Sequence, residues 1–361
     1  MDMNIFNDDA FAMVAMTEAL EDLEYVPGFM GSMNLFEDEP VTTEMVAVEK
    51  RGTTLNLIKT TERGSPIEEG RREGRDIRGF STSRIAKGHT LRASEIQGIR
   101  EFGTERDVET MVEYIARYSK KLSDETRMTW EFQMLGAVQG IVLDADGSLI
   151  INWFSEFGIA QPAEIDFALG DPTTIVELKC RQVQRAMISA SGRGWVPGAR
   201  VVGLCGDEFF DKLTTHNSTR EIYLNQSAAG ALGRAFGPAL QAALGSGAYA
   251  TFDHGGVIFV NYRGAEDFDA TAEEGTVEGK EAFGIATDKA KFFPVGVPGI
   301  FKRGLSPAES FDYVNTPGLP MYQMLIRDDQ RNMWARPEIY SYPLYMCKRP
   351  EMLLRATVNA G

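Results

Sequence analysis

An uninterrupted helical pattern between residues 104 and 140 constrains the fold of this chain more than any other feature. The stretch contains no proline. Thr104 is suited to the N-cap, acidic residues crowd the first turn, and Gly140 is suited to the C-terminal end. A helix of this reach is about 50 Å long. It predicts either a spine across an elongated subunit or a long packed helix of an ordinary α/β protein.

Apolar residues recur along this helix at spacings of three and four, which predicts one buried face. They are Val108, Met111, Val112, Ile115, Tyr118, Leu122, Met128, Phe132, Leu135 and Val138.

Composition excludes several classes of protein. The 361 residues are 43% hydrophobic, enough for a substantial core in two lobes. The net charge of −15 argues against attraction of the whole surface to nucleic acid. Three cysteines without CxxC spacing suggest a reducing compartment. The acidic start is unlike a signal peptide, and no apolar run approaches the length of a membrane span.

The first 24 residues predict an amphipathic helix, followed by an extended segment. This leader is acidic and rich in methionine and phenylalanine. One interpretation is an arm that lies along a neighbouring surface, with Phe6 and Phe11 as candidate inter-subunit contacts. The other is an ordinary N-terminal helix that docks on its own domain. The sequence leaves both open.

Residues 42–62 alternate between polar and apolar side chains, which predicts two strands of an antiparallel ribbon. Met45 and Ala47 are expected on the apolar face, and the pair Arg51 and Gly52 is expected at the turn. The segment that follows contains five glycines between residues 63 and 95 and few large apolar residues. Between residues 50 and 100 there are 12 Lys and Arg against 6 Asp and Glu, a local excess of six positive charges.

The basic ribbon has three interpretations. A nucleic-acid patch is weakened because Phe80 is the only aromatic residue between residues 50 and 100. A solvated loop is the plainest alternative, although the segment is too long for an ordinary connection. Charge complementarity favours an arm that docks on the acidic surface of an identical neighbour. The candidate contacts are Arg71, Arg72, Arg75, Arg78 and Lys87.

The remainder of the chain predicts alternating helices and strands. The predicted elements are a hairpin at 141–153 that turns at 144–147, a strand at 199–206, a helix at 207–215, a strand pair around 253–256, short strands within 281–301 and closing strands within 340–358. A further helix is predicted to open at Asp171 and Pro172 and to end at Gly192 and Gly194, with an apolar face of Ile175, Leu178, Val183 and Met187.

Motifs that would indicate catalysis are weak or missing, so no catalytic, cofactor-binding or metal-binding residue is predicted. His89, His216 and His254 are far apart in sequence. The turn at 144–147 matches the start of a calcium loop, but Ser155 stands where the loop requires glutamate. Residues 245–250 match a relaxed dinucleotide fingerprint, but they precede a strand where the fingerprint should follow one.

Several segments together resemble the lambda-type major capsid protein family, the major capsid protein E of tailed phages. They are the strand start at 42–46 (TTEMV), the turn at Ser65 and Pro66, the strand-to-helix step at 201–213 (VVGLCGDEFFDKL) and the region 285–345, which contains Tyr-Ser-Tyr-Pro-Leu at 340–344. The resemblance covers nearly the whole chain.

The resemblance implies an α+β protein with the Hong Kong 97-type capsid fold. Its expected parts are an N-terminal arm (1–42), an extended β-loop (43–100), a peripheral domain with the spine helix (101–170 and 331–361) and an axial domain (171–330). The implied function is a late, non-enzymatic structural protein without a cofactor. It would self-assemble, through hexamers and pentamers, into the icosahedral shell of a tailed bacteriophage.

The resemblance also implies partners and a place of action. The shell would enclose double-stranded DNA without sequence-specific binding, and it would work with a decoration protein, a scaffolding protein and a portal. No membrane is involved; the protein would be assembled in the host cytoplasm and reside in the virion. No lysine–asparagine pair can be assigned to a covalent cross-link. The alternatives are an encapsulin-like compartment and a soluble α/β enzyme without recognisable motifs.

Overall fold

The computed structural model describes residues 28–51, 75–92, 106–192, 194–220, 250–262, 284–328, 330–331 and 333–359. The predicted helix at 4–24 and the small-residue stretch at 230–247 lie outside them.

The predicted long helix is confirmed as α2, Arg106–Gln139, while α1 is a single turn, Phe29–Ser32. Gly140 follows α2 with a positive φ of 84°, the left-handed conformation that glycine adopts without strain. Of the predicted apolar face, Ile115, Leu122, Leu135 and Val138 are buried, whereas Tyr118, Met128 and Phe132 are half-buried. Trp130, Met134 and Ala137 are buried as well, so the second half of the helix is enclosed on most sides.

A six-stranded sheet forms the largest layer, in the order β10-β11-β9-β12-β17-β8. Its strands are β8 (Ile165–Asp166), β9 (Arg200–Cys205), β10 (Thr251–His254), β11 (Val257–Asn261), β12 (Lys289–Val295) and β17 (Leu354–Thr357). Helix α4 (Val176–Ala190) lies between β8 and β9 in sequence, and α5 (Asp207–Thr215) follows β9 with the predicted bounds. An aromatic cluster packs between the sheet and α5; its members are Phe167, Phe209, Phe259 and Phe292.

Four smaller sheets complete the described structure. They are β1 (Glu37–Pro40) with β13 (Phe301–Leu305) and β16 (Pro343–Cys347); β14 (Tyr322–Arg327) with β15 (Trp334–Ser341), β4 (Ile85–Gly88) and β5 (Leu91–Arg92); the ribbon β2 (Met45–Arg51) with β3 (Arg75–Ser81); and the hairpin β6 (Ile141–Leu143) with β7 (Leu149–Asn152). The hairpin confirms the prediction for residues 141–153, and it leads into the one-turn helix α3, Trp153–Glu156.

Two indole groups tie α2 and α3 to the closing strands. Trp130 Nε1 donates to Ser341 Oγ at 3.1 Å, and Trp153 Nε1 donates to the Tyr345 carbonyl at 3.2 Å. Both partners lie far away in sequence, so the long helix is fixed to the C-terminal part of the chain.

The predicted start of helix α4 was wrong, and so were two of the four residues of its predicted face. The Asp171 carboxylate accepts from the backbone NH of Thr173 at 2.9 Å and from its hydroxyl at 2.7 Å, so it closes a turn ahead of the helix, which begins at Val176. The predicted face was Ile175, Leu178, Val183 and Met187. Val183 and Met187 are buried, whereas Ile175 and Leu178 are 53% and 55% exposed. Val176 and Cys180 take the other two buried positions, because spacings of three and four measured from Val176 give residues 176, 180, 183 and 187.

The ribbon also differs from its prediction. Strand β2 pairs with β3, 24 residues beyond the predicted turn at Arg51 and Gly52. The predicted second strand, 53–62, lies outside the described residues. Val46 and Val48 are buried, whereas Met45 is 51% exposed and Ala47 is exposed, so the apolar face is the opposite of the predicted one. A valine at residue 46 fits because Gly304 leaves room for its side chain.

Sheet membership crosses the predicted domain boundaries. Strands β8 and β17 were placed in the peripheral domain, yet both belong to the six-stranded sheet with strands of the predicted axial domain. Conversely, β13 and β14 fall within 171–330 but pair with β16 and β15 of the C-terminal segment. Strand pairing is set by register and burial rather than by order along the chain, so contiguous sequence ranges do not reproduce the sheets.

Candidate assembly surfaces

The base of the β2–β3 ribbon is fixed to the subunit core. The Phe80 and Trp153 rings meet edge to face with centroids 5.3 Å apart. Val46 packs against Gly304 so closely that a Cβ added to this glycine would lie 2.6 Å from Val46 Cγ2. Further out, the backbone pairing continues to Arg51 opposite Arg75. The end of the ribbon that holds Val46 and Phe80 is therefore anchored in the core.

The candidate contact residues have different placements. Arg75 lies at the outer end of the described ribbon. Arg78 donates to the backbone carbonyl of Glu156, which ends α3. Lys87 lies on β4 and pairs with Glu125 of α2, with Nζ and Oε2 2.9 Å apart. Lys87 therefore holds β4 against the long helix of its own subunit. Arg71, Arg72, Phe6 and Phe11 lie outside the described residues.

The start of the described chain is fastened to α2 by a buried carboxylate, which sequence reasoning missed. Glu131 is 7% exposed. Its Oε1 accepts from Met30 N at 2.5 Å and its Oε2 from Gly31 N at 3.0 Å. Gly28 passes so close that an added Cβ would lie 2.6 Å from the Glu131 Cδ. The signal available in the sequence was a glutamate among the apolar residues of α2, between Met128 and Leu135.

Ion pairs hold the next segment, β1, beside β13. Arg303 donates to both carboxylate oxygens of Asp38, with Nε to Oδ1 at 2.6 Å and Nη2 to Oδ2 at 2.7 Å. Lys302 pairs with Glu39 at 2.8 Å. Two-point contacts of this kind fix orientation as well as position. Residues 28–40 are thus attached to the subunit at both ends.

Glu131 gives a testable dependence of stability on pH. Burial raises the pKa of its carboxyl above the ordinary 4.5, and the hydrogen bonds from Met30 and Gly31 offset that shift only in part. The folded subunit therefore keeps this proton over a pH range in which the unfolded chain has released it. The stability contributed by Glu131 falls as pH rises from about 4.5 through the folded-state pKa.

We expect Glu131→Gln, which does not titrate, to remove this dependence. The free energy of unfolding of the wild type minus that of the variant should decrease as pH rises above about 4.5, and then level off. Denaturant titrations of both proteins as unassembled subunits, at a series of pH values, measure this difference in the free energy of unfolding. A difference that stays constant, or that grows with pH, would contradict the assignment.

Groups with catalytic potential serve structural roles in the part of the chain that the structure covers. Burial raises the pKa of the Cys180 and Cys347 thiols to about 12, so neither is a thiolate at neutral pH. His216 is held between the Ser218 hydroxyl and the Asp171 carbonyl, each at 3.0 Å. Among the described residues, no three His, Cys, Asp or Glu side chains are grouped to hold a metal ion, and no helix is long and apolar enough to cross a membrane.

Comparison with known proteins decides the family. The sequence profile described as phage major capsid protein E matches residues 12–358. The chain belongs to this family. The family is structural, so the chain is a phage capsid protein and not an enzyme.

Individual relatives agree with this assignment. The major capsid protein of Pseudomonas phage KPP10 is 27% identical over 318 residues, which cover 86% of this chain and 87% of the relative. The major capsid protein of Salmonella phage Felix O1 is 25% identical over 360 residues, 97% of each chain.

A solved structure of another capsid protein supports the fold of this chain. The crystal structure of a protein described as a prophage capsid protein of E. coli CFT073 superimposes with a TM-score of 0.54 at 14% identity, and the match covers 95% of this chain and 98% of that one. The predicted α+β, Hong Kong 97-type capsid fold is confirmed.

Proposed function

We propose that this chain self-assembles, through hexamers and pentamers, into the icosahedral shell of a tailed phage around packaged double-stranded DNA. The observation that carries the proposal is the β2–β3 ribbon, whose base packs on its own core through Phe80 and whose strands stay paired as far as Arg51 opposite Arg75. A ribbon anchored at one end suits contact with a neighbour. Many modest contacts, repeated over a closed shell, give large collective stability.

In this proposal the ribbon within 43–100 and the arm within 1–42 lie across identical neighbours. Charge supports the role of the ribbon, because a local excess of six positive charges stands against a net charge of −15 for the chain. The attachment of residues 28–40 through Glu131 and Asp38 supports the role of the arm. An arm that contacts a neighbouring subunit must be firmly attached to its own subunit.

We assign each strand to a domain by the sheet to which it belongs. The six-stranded sheet with α4 and α5 forms the axial domain, near the symmetry axis of each capsomer. Helix α2 with the sheet of β14, β15 and β4 forms the peripheral domain. Strands β8 and β17 belong to the axial domain in this division, which moves them from their predicted place.

The resemblance to lambda-type coats suggests the partner proteins. We propose a scaffolding protein during assembly, a portal at one vertex and a decoration protein that reinforces the shell without covalent cross-links. Assembly takes place in the host cytoplasm, and the acidic surface limits non-specific binding of the inner wall to the packaged DNA.

Sedimentation of the full-length chain through a sucrose gradient, after expression alone and together with its scaffolding protein, tests the proposal. We expect a fast fraction of megadalton size that sediments apart from free subunits. Recovery of only slow, subunit-sized material under both conditions would overturn it.

A further inference from the structure

Two cations face each other across neighbouring strands of the six-stranded sheet. Lys291 of β12 and Arg355 of β17 occupy directly paired positions in the antiparallel register. The Cβ atoms of paired residues lie about 5 Å apart, and like charges at such positions destabilise the pairing. The register of these two strands therefore brings two positive charges together in every folded subunit.

The pair lies on the face of the sheet opposite the aromatic cluster. Side chains alternate between the two faces along a strand, and Phe292, a member of that cluster, follows Lys291 directly. Leu204, the partner of Lys291 on β9, is fully buried, whereas Lys291 and Arg355 are half-buried. The two cations are thus largely withdrawn from water, yet they remain within reach of a small solute.

Neither cation is neutralised within the described residues. Neither side chain forms an ion pair there, and Arg355 Nε is buried without a hydrogen-bond partner. The neighbouring Lys289 is compensated, because its Nζ lies 3.1 Å from Glu164 and 3.5 Å from Asp288. Burial lowers the pKa of the Lys291 ammonium, Arg355 lowers it further, and Glu164 opposes these effects only in part. Two half-buried cations without an ion-pair partner are costly, and an anion between them removes that cost.

The arrangement selects a single oxyanion. A guanidinium presents a planar fork of donors that matches two oxygens of a carboxylate or phosphate, and an ammonium adds a further charged donor. The carboxylates of Glu164 and Asp288 form an acidic margin beside the pair. This margin opposes the closely spaced phosphates of a nucleic acid more strongly than it opposes one small anion.

We propose that Lys291 and Arg355 form a binding site for one oxyanion, supplied either as free inorganic phosphate or as a carboxylate of the protein. The site does not depend on the proposed shell, because both residues that form it belong to a single subunit. An anion bound there bridges β12 and β17 and stabilises the pairing of the last strand of the sheet to enter along the chain.

Thermal melting of the unassembled full-length subunit, in phosphate and in chloride of equal ionic strength, tests the free anion as the source. We expect phosphate to raise the melting temperature of the wild type, because a ligand that binds only the folded state stabilises it. Lys291→Met and Arg355→Met should each need about tenfold more phosphate for the same increase. Lys212→Met removes the same charge from an exposed ion pair of α5, so this control should respond like the wild type.

Carbodiimide coupling tests a carboxylate of the protein as the source. The reagent joins an amine to a carboxylate in contact with it, and mass spectrometry identifies the joined peptides from subunits and from particles. A peptide that links Lys291 to an acidic residue other than Glu164 would assign the site to a protein carboxylate. A phosphate response that depends on Lys291 and Arg355, without such a peptide, would assign it to the free anion. Equal phosphate responses of the wild type and both variants, again without such a peptide, would overturn the proposal.

Discussion

Replacing Arg71, Arg72 and Arg75 together with glutamate should abolish shell assembly while the subunit stays folded. The change removes three positive charges and adds three negative ones, so the excess of six positive charges between residues 50 and 100 falls to zero. The rest of the surface is acidic, and like charges facing each other across an interface cost several kcal/mol. Repeated at every contact of a shell, that cost prevents closure.

The fold should survive, because the buried contacts of the ribbon are made by other residues. Val46, Val48 and Phe80 attach its base, and none of them is changed. Circular dichroism and thermal melting of the unassembled subunit verify the fold, and sedimentation measures assembly. The same three positions changed to lysine provide the control, since positive charge is kept. Normal particles from the glutamate variant would show that the ribbon does not dock through charge.

Leu135→Ala should cost the subunit about 2–5 kcal/mol of unfolding free energy. Leu135 is 2% exposed on the second half of α2, with Met134 and Val138 also buried beside it. Truncation removes buried apolar surface and leaves a cavity that a long helix, fixed by Trp130 to Ser341, cannot close by shifting.

Denaturant titration of the unassembled subunit measures this cost. Leu149→Ala is the matched control, because the same chemical change at a 59% exposed position should stay within about 0.5 kcal/mol. A cost near zero for Leu135→Ala would mean that α2 does not organise the core.

The sequence predicted those elements whose pattern lies within the element itself. Helix α2, the β6–β7 hairpin and α5 were found because periodicity, a strong turn and a helix-terminal glycine act within a few residues. Family resemblance supplied the architecture that these elements build.

Long-range pairing could not be predicted in the same way. The partner of β2 is set by the fit of Val46 on Gly304 and of Phe80 on Trp153, which no local pattern records. Glu131 is a charged residue among apolar ones, but the sequence does not show its partners, which are backbone amides about 100 residues earlier.

Negative-stain electron microscopy of the purified full-length protein tests self-assembly most directly. We predict closed shells, or the capsomer rings and tubes that arise from the same contacts. A compact monomer under all assembly conditions, including macromolecular crowding and the presence of the scaffolding protein, would contradict it.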